Sequence, residues 1–179
     1  QRVLRANAAS ALVKRFTAAF AAHDRDDLSA CLSATYEQIE HPTASRFARD
    51  EVLDSLDNLL RSDAPYFEMR VLVTLGPSLC LALRRSGADG ADAERYDVGA
   101  YETEAFHVIE TDGDGLLARS EFFAPDRLNE AIACLYERYA DCLPEGRLRD
   151  CAFATRQSFD CLSNIHNEPE AIAGSFSEN

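Results

Sequence analysis

Five residues between Glu110 and Glu121 have the types and spacing of a calcium-binding loop. Glu110, Asp112, Asp114, Gly115 and Glu121 fall on the first, third, fifth, sixth and twelfth positions of an EF-hand loop, whose oxygen ligands hold Ca²⁺. The same segment also fits a β-hairpin in which an Asp-Gly-Asp-Gly turn joins two strands. The two interpretations exclude each other, because the loop must be followed by a helix and the turn by a strand.

The flanking residues favour the hairpin. Three residues separate Glu121 from Pro125, and proline there stops an exit helix before its first turn is complete. A glutamate at the first ligand position would crowd the ion, and the chain has no second loop of this type to form a pair. Residues 101–109 alternate with period two and are rich in aromatic and β-branched types, which is typical of a strand. We therefore predict strands on both sides of residues 112–115 and no metal there.

The composition bounds the class of protein. At 179 residues and 46% apolar, the chain is long enough for one globular domain with a core. A net charge of −13 argues against nucleic acid and anionic membrane surfaces as partners, and no apolar run is long enough to span a bilayer. Six cysteines without a CxxC pair favour a reduced, cytoplasmic protein. No phosphate loop, nucleophile elbow or zinc spacing occurs, so we expect no cofactor.

Hydrophobic periodicity predicts an α+β domain. Four helices are expected, starting at Asn7 or Ser10, at Asp26 or Asp27, at Asp50 and at Asp126. Strands are expected over residues 35–41, 67–75, 79–84, 101–109 and 116–123, with a mobile loop over residues 86–97. This order indicates a curved antiparallel sheet with helices on its concave face and a pocket between them. We assign the domain to residues 1–141. Residues 142–179 are either a helical extension and tail packed on the domain or the start of a truncated repeat.

Several of these segments together resemble the SnoaL-like and ketosteroid-isomerase-like branch of the nuclear transport factor 2-like superfamily. The similarity covers residues 7–141 and is carried by segments 13–20, 26–28, 34–42, 106–115 and 123–128. It implies a cone-shaped barrel of a curved, mainly antiparallel sheet wrapped around N-terminal helices. It also implies a pocket inside the cone and, in most members, a homodimer.

The resemblance also implies where the chemical residues of a ketosteroid isomerase would stand. The aspartate base of those enzymes corresponds to His41, the tyrosine of the oxyanion hole to Phe16, and the protonated aspartate to His107. All three positions are changed, and Phe16 has no donor for a developing enolate. Steroid isomerase chemistry is therefore not supported.

The two histidines remain the candidate catalytic residues. Strand alternation predicts that His41 and His107 face one cavity, where they would form an acid–base pair or would only fix the pocket by hydrogen bonds. The same alternation predicts an apolar lining with a few polar points, which suits a small apolar or aromatic ligand. The predicted ligand-binding residues are Phe16, Phe20, Ile39, Tyr101, Thr103, Ser120 and Phe122.

Three functions follow from this pattern. The first is a small-molecule-binding domain, a sensory or accessory module of a longer bacterial protein. The second is a cofactor-independent lyase, isomerase or hydrolase that uses the histidine pair. The third is a dimerisation module with a filled cone. A homodimer through the opposite face of the sheet is predicted because the outward set is apolar; this set is Phe106, Val108, Leu117 and Phe123.

Overall fold

A computed structural model describes residues 4–93 and 96–167. The helices are α1 (Ala8–Ala21), α2 (Arg25–Cys31), α3 (Arg49–Leu60), α4 (Leu128–Asp141) and α5 (Arg147–Asn167). The strands are β1 (Leu32–Glu40), β2 (Ser45–Ala48), β3 (Tyr66–Leu75), β4 (Leu79–Ala93), β5 (Tyr96–Thr111) and β6 (Leu117–Phe123). The predicted α+β class is confirmed.

The six strands form one curved, mixed sheet in the order β2-β1-β6-β5-β4-β3. Neighbouring strands are antiparallel except for β1 and β6, which run parallel. The predicted closed, cone-shaped barrel is not confirmed, because the sheet is open with β2 and β3 at its edges. We call the face covered by α1, α2 and α3 the inner face and the face covered by α4 the outer face.

Local capping chemistry fixes where the inner helices begin. The Asn7 side chain accepts a hydrogen bond from the Ser10 backbone at 3.0 Å, so α1 begins as predicted. Asp24 caps α2 by accepting from the Asp27 backbone, and neither of the predicted caps, Asp26 and Asp27, does so. At α3 the Glu51 carboxylate accepts from the Ala48 backbone at 2.8 Å, so the predicted cap, Asp50, lies inside the first turn. These helices place Leu12, Phe16, Phe20, Leu28 and Leu56 in a core against the inner face.

The outer face is covered by the chain itself. α4 buries a second core on that face, and α5 packs along α4. The outer core comprises Leu79, Leu81, Val108, Phe123, Ala131 and Leu135, with Phe106 partly buried against it. The predicted dimer through this face assumed that its apolar residues are exposed. That assumption is wrong for three of the four residues, because Phe106, Val108 and Phe123 belong to or pack against the outer core. The fourth, Leu117, belongs to the inner core, because a register shift between Glu110 and Thr111 changes its side.

The hairpin interpretation of residues 101–123 is confirmed. β5 and β6 flank the turn, and a strand stands where an EF-hand would need its exit helix. The Asp112 carboxylate accepts hydrogen bonds from the backbones of Asp114 at 3.0 Å and Leu116 at 2.9 Å. Gly115 closes the turn with φ at 76°, a conformation that glycine adopts without strain. Strand geometry explains the Asp-Gly pattern, and the absence of calcium stays a prediction.

The predicted mobile loop over residues 86–97 is wrong for residues 86–93 and 96–97, which continue β4 and β5 as a two-stranded ribbon. A loop was expected because this segment is polar and rich in glycine. A Cβ on Gly87 would lie 2.2 Å from the Tyr101 carbonyl oxygen, so glycine serves close strand approach at this position. Asp63 also forms an isolated antiparallel β-bridge with Gly90 of the ribbon. Among the helices that the structure describes, none has the length and apolarity needed to cross a bilayer.

Candidate functional site

A small chamber lies between the inner face of the sheet and helices α1 and α3. Its volume is about 40 Å³, which is room for roughly three water molecules or one small apolar group. The lining is apolar except at Tyr36, Gln38, Arg84 and His107. The apolar lining is Leu12, Val13, Phe16, Leu32, Val52, Leu56, Phe67, Met69, Ile109, Leu117 and Phe122.

A larger vestibule of about 600 Å³ adjoins the chamber. The two spaces share five lining residues, namely Gln38, Val52, Leu56, Phe67 and Arg84. The vestibule is more polar than the chamber. Its remaining lining is Glu40, Phe47, Glu51, Ser55, Asn58, Leu59, Ser62, Ser86, Tyr101 and Thr103.

His107 is the polar end of the chamber. Its side chain is 5% exposed, and neither ring nitrogen has a hydrogen-bond partner among the described residues. The ring stacks on Phe122 with centroids 4.0 Å apart. Burial, reinforced by the nearby Arg84 charge, lowers the pKa of His107 well below its ordinary value of 6.5. The imidazole is therefore neutral at pH 7 and offers one N–H donor and one acceptor nitrogen.

His41 lies on the other side of the sheet. It follows β1 in a turn, its ring stacks on Phe123 of the outer core at 4.2 Å, and its Nε2 lies 2.8 Å from a Glu121 oxygen. Burial by itself raises the pKa of Glu121, but hydrogen bonds from Arg119 and His41 outweigh it and lower the pKa overall. The prediction that both histidines face one cavity is therefore wrong. His41 joins the end of β1 to β6 through Glu121.

The error at His41 comes from the phase of β1. The structure turns Tyr36, Gln38 and Glu40 towards the chamber and vestibule, so Ile39 cannot share their face and lines neither space. Ile39 is buried at 7% exposure, which is why an inward position was expected for it. Helices cover both faces of this sheet, so burial alone does not decide the phase of a strand.

The phase predicted for β5 and β6 agrees with the structure. Phe16 and Phe122 line the chamber together with His107, while Tyr101 and Thr103 line the vestibule. Two predicted residues lie next to the site without lining it. Phe20 packs on Phe67 in the inner core, with ring centroids 5.2 Å apart. Ser120 is fully buried.

A chain of hydrogen bonds leads from the buried Ser120 to the vestibule. The Ser120 and Tyr36 hydroxyl oxygens are 2.5 Å apart, the Tyr36 hydroxyl donates to Gln38 at 3.2 Å, and the Gln38 amide donates to Glu40 at 3.0 Å. Burial raises the pKa of Tyr36, so its hydroxyl keeps its proton at neutral pH. Sequence reasoning missed Tyr36, Gln38 and Glu40 because it assigned β1 the opposite phase.

Arg84 is a cationic residue of the site that sequence reasoning also missed. It stands on β4 where the chamber meets the vestibule, and its guanidinium carbon lies 4.8 Å from the Phe122 ring centre and 5.3 Å from that of Phe67. Burial lowers the pKa of Arg84, although Glu40 and two tyrosines oppose the shift. The signal was present in the sequence: Arg84 and Arg85 are adjacent on a strand, so one of them had to point inwards.

No protein-family model matches the sequence, and a search of curated proteins finds no match. Solved structures do match. Rv0760c from Mycobacterium tuberculosis, in complex with estradiol-17beta-hemisuccinate, is 13% identical with a TM-score of 0.55 over 68% of this chain and 97% of its own. A protein called a polyketide cyclase from Xanthomonas campestris is 16% identical with a TM-score of 0.52 over 68% and 93%. A computationally designed 17-OHP binder is 12% identical with a TM-score of 0.51 over 66% and 92%.

These identities are low, so the likeness concerns the fold. Each of the three structures aligns over about two thirds of this chain and over more than nine tenths of its own length. The chain therefore has the nuclear transport factor 2-like, SnoaL-like fold.

Proposed function

We propose that the chain is a small-molecule-binding domain. Its ligand places an apolar or aromatic group in the chamber and extends its larger part into the vestibule. The observation that carries the proposal is the buried His107 ring, whose two nitrogens lack partners in an otherwise apolar chamber. A buried polar group without a hydrogen bond costs about 1–3 kcal/mol, which a ligand atom or an ordered water would offset.

The matched structures support this use of the fold. One of them holds a steroid derivative, and another was designed to bind 17-OHP. The chamber alone is too small for a molecule of that size, so the vestibule has to take most of such a ligand. Polar groups along the vestibule wall, among them Tyr101 and Thr103, would then contact the ligand's outer part.

The same proposal includes the wider setting of the domain. The role is that of a sensory or accessory module in a longer, cytoplasmic bacterial protein. Residues 1–141 would form the binding domain and residues 142–179 an extension, of which α5 packs along α4. The six cysteines, all free thiols, suit a reducing compartment. Whether the chain forms a homodimer is a separate prediction, which light scattering at micromolar concentration measures.

Native mass spectrometry of the freshly purified protein is the first test, because it detects a retained ligand directly. Isothermal titration calorimetry with that ligand should then give an affinity that falls by about tenfold in His107→Leu, as expected for one lost buried hydrogen bond. His41→Leu is the matched control and should leave the affinity unchanged, because His41 lies across the sheet. Equal loss in both variants would contradict the assignment of the chamber. Failure to bind any apolar or aromatic probe would favour the dimerisation module.

A cofactor-independent lyase, isomerase or hydrolase is the second candidate, and one observation favours it. A neutral imidazole with a free acceptor nitrogen is the form of histidine that removes a proton as a general base. His107 would act without His41, so the proposed histidine pair reduces to a single residue. Turnover of the retained ligand, lost in His107→Gln and kept in His41→Gln, would establish this function.

A further inference from the structure

Arg84 differs from the adjacent Arg85 in having no carboxylate partner among the described residues. Among residues 4–93 and 96–167, no acidic oxygen lies within 4.0 Å of its guanidinium. Its hydrogen bonds go to the Ser86 hydroxyl oxygen, at 3.3 Å from Nε and 3.0 Å from a terminal nitrogen. The adjacent Arg85, on the outward side of the same strand, instead pairs with Glu104.

The two carboxylates of the vestibule are already engaged elsewhere. Glu40 accepts hydrogen bonds from the Gln38 amide at 3.0 Å and from the Thr43 hydroxyl at 3.4 Å. Glu51, in the first turn of α3, accepts from the backbone of the N-cap residue Ala48 at 2.8 Å. Neither neutralises Arg84 by direct contact. The positive charge therefore remains available at the boundary between chamber and vestibule.

Aromatic contacts hold the guanidinium in place. The Phe122 and Phe67 ring centres lie 4.8 and 5.3 Å from the guanidinium carbon. Contacts with ring faces do not occupy the in-plane N–H groups, so those that do not donate to Ser86 can donate to a ligand. A cation taken out of water without a counter-charge is costly, and a protein that keeps one beside a pocket is expected to use it. In a chain of net charge −13, this location is a local exception to the acidic character of the molecule.

We infer that the natural ligand is an organic monoanion, an aromatic or alicyclic acid whose carboxylate pairs with Arg84 while its ring system occupies the chamber and vestibule. The planar, two-oxygen carboxylate matches the arginine fork, and such charge-assisted pairs are about twice as strong as neutral hydrogen bonds. Glu40 and Glu51 limit the charge to one, because a second negative group in the vestibule would face both of them. The inference rests on the proposed function, since it assigns the ligand class of the same pocket.

Matched pairs of acid and neutral isostere test the inference on the full chain. The probes are benzoate and benzamide, naphthoate and naphthamide, and estradiol-17beta-hemisuccinate with its methyl ester, each titrated by calorimetry at low and physiological salt. In the wild type, the acid of the best-fitting pair should bind about tenfold or more tightly than its neutral counterpart. Arg84→Met should remove that preference and keep the affinity for the neutral probe, whereas Arg84→Lys should keep part of it.

Arg85→Met is the matched control, because it removes a guanidinium from the next residue of the strand on the opposite face. It should leave the acid preference unchanged. Urea unfolding of each variant checks that the fold is retained, and Arg84→Lys keeps the test open if Arg84→Met fails to fold.

The outcomes separate this inference from the proposed function. Binding of a neutral probe with no preference for its acid overturns the monoanion and leaves the small-molecule site in place. A preference that survives Arg84→Met assigns the anion to another residue and also overturns it. Failure of every probe, charged and neutral, overturns both.

Discussion

His107 and Arg84 are the two residues that give the chamber its polar and charged character. Both line the chamber, where His107 is buried and Arg84 half-buried, and both stand against the ring of Phe122. Burial is the main cause that lowers the pKa of His107 and the Arg84 charge adds to it, so the imidazole stays neutral. The chamber therefore presents one fixed cation and one neutral donor–acceptor group.

This arrangement predicts a specific pH dependence of stability. The pKa of His107 in the folded chain lies below its ordinary value of 6.5, so the unfolded chain takes up a proton first as the pH falls. Above pH 6.5 the ring is neutral in both states and does not change the free energy of unfolding. Below pH 6.5 the free energy of unfolding falls progressively, by up to about 1.4 kcal/mol per pH unit. Urea unfolding at pH 7.5 and 5.5 should show a larger loss in the wild type than in His107→Leu. Parallel losses in the two proteins would mean that the ring is accessible to protons in the folded state.

At the scale of elements, the β5–β6 hairpin depends on its turn. Gly115 has φ at 76°, where a residue with a Cβ is strained. Apart from its two chain neighbours, no residue that the structure describes lies within 4 Å of the position that a Cβ would take. Gly115→Ala should therefore lower the free energy of unfolding by about 1–2 kcal/mol through backbone strain alone. Gly113→Ala, two residues away and equally open, is the control and should be close to neutral. Chemical denaturation measures both, and equal effects would contradict the strain argument.

The elements also show where sequence reasoning succeeds. Alternation in β5 and β6 was interpreted correctly because His107, Ser120 and Phe122 belong to a hairpin whose turn is fixed by Asp112 and Gly115. A turn of known type sets the register of its strands, and the register decides which side chains share a face. The chamber residues on this hairpin could therefore be named in advance.

β1 had no such anchor. Its short hairpin partner β2 was not predicted, and its other neighbour β6 is distant in the sequence. Both faces of the sheet are covered, so Ile39 and Tyr36 were equally acceptable inward residues. The extension of β4 beyond Arg84 was missed for a different reason. Its small and acidic residues have low strand propensity, and pairing with β5 overrides that propensity. The wrong phase of β1 removed Gln38 and Glu40 from the predicted site, and the missed extension of β4 removed Ser86.

At the scale of the molecule, the sheet separates two hydrophobic cores that are expected to have different roles. The inner core surrounds the chamber, while the outer core lies under α4. A ligand site needs some space, whereas the outer side is packed around Leu79, Leu81, Val108 and Leu135, each at most 2% exposed. The outer core is therefore expected to contribute stability without affecting the ligand.

Leu135→Ala tests this separation. Removing a side chain that is 1% exposed should lower the free energy of unfolding by about 2–5 kcal/mol, while leaving probe affinity unchanged. Leu128→Ala, in the same helix at 40% exposure, is the control and should cost less than about 0.5 kcal/mol. Thermal unfolding and calorimetry on the same samples provide both readings. A matching loss of affinity in Leu135→Ala would show that the two cores are coupled.

The parallel pairing of β1 with β6 has a consequence for the time order of folding. The chain must close a loop from residues 32–40 to residues 117–123 before this pair can form, and contacts so distant in sequence form slowly. During synthesis, β1 has to wait for most of the domain to leave the ribosome. The Tyr36–Ser120 contact depends on that pair, so the pocket would be completed late. A bound ligand is then expected to slow unfolding while leaving the folding rate unchanged, and stopped-flow kinetics with and without the ligand would measure the difference.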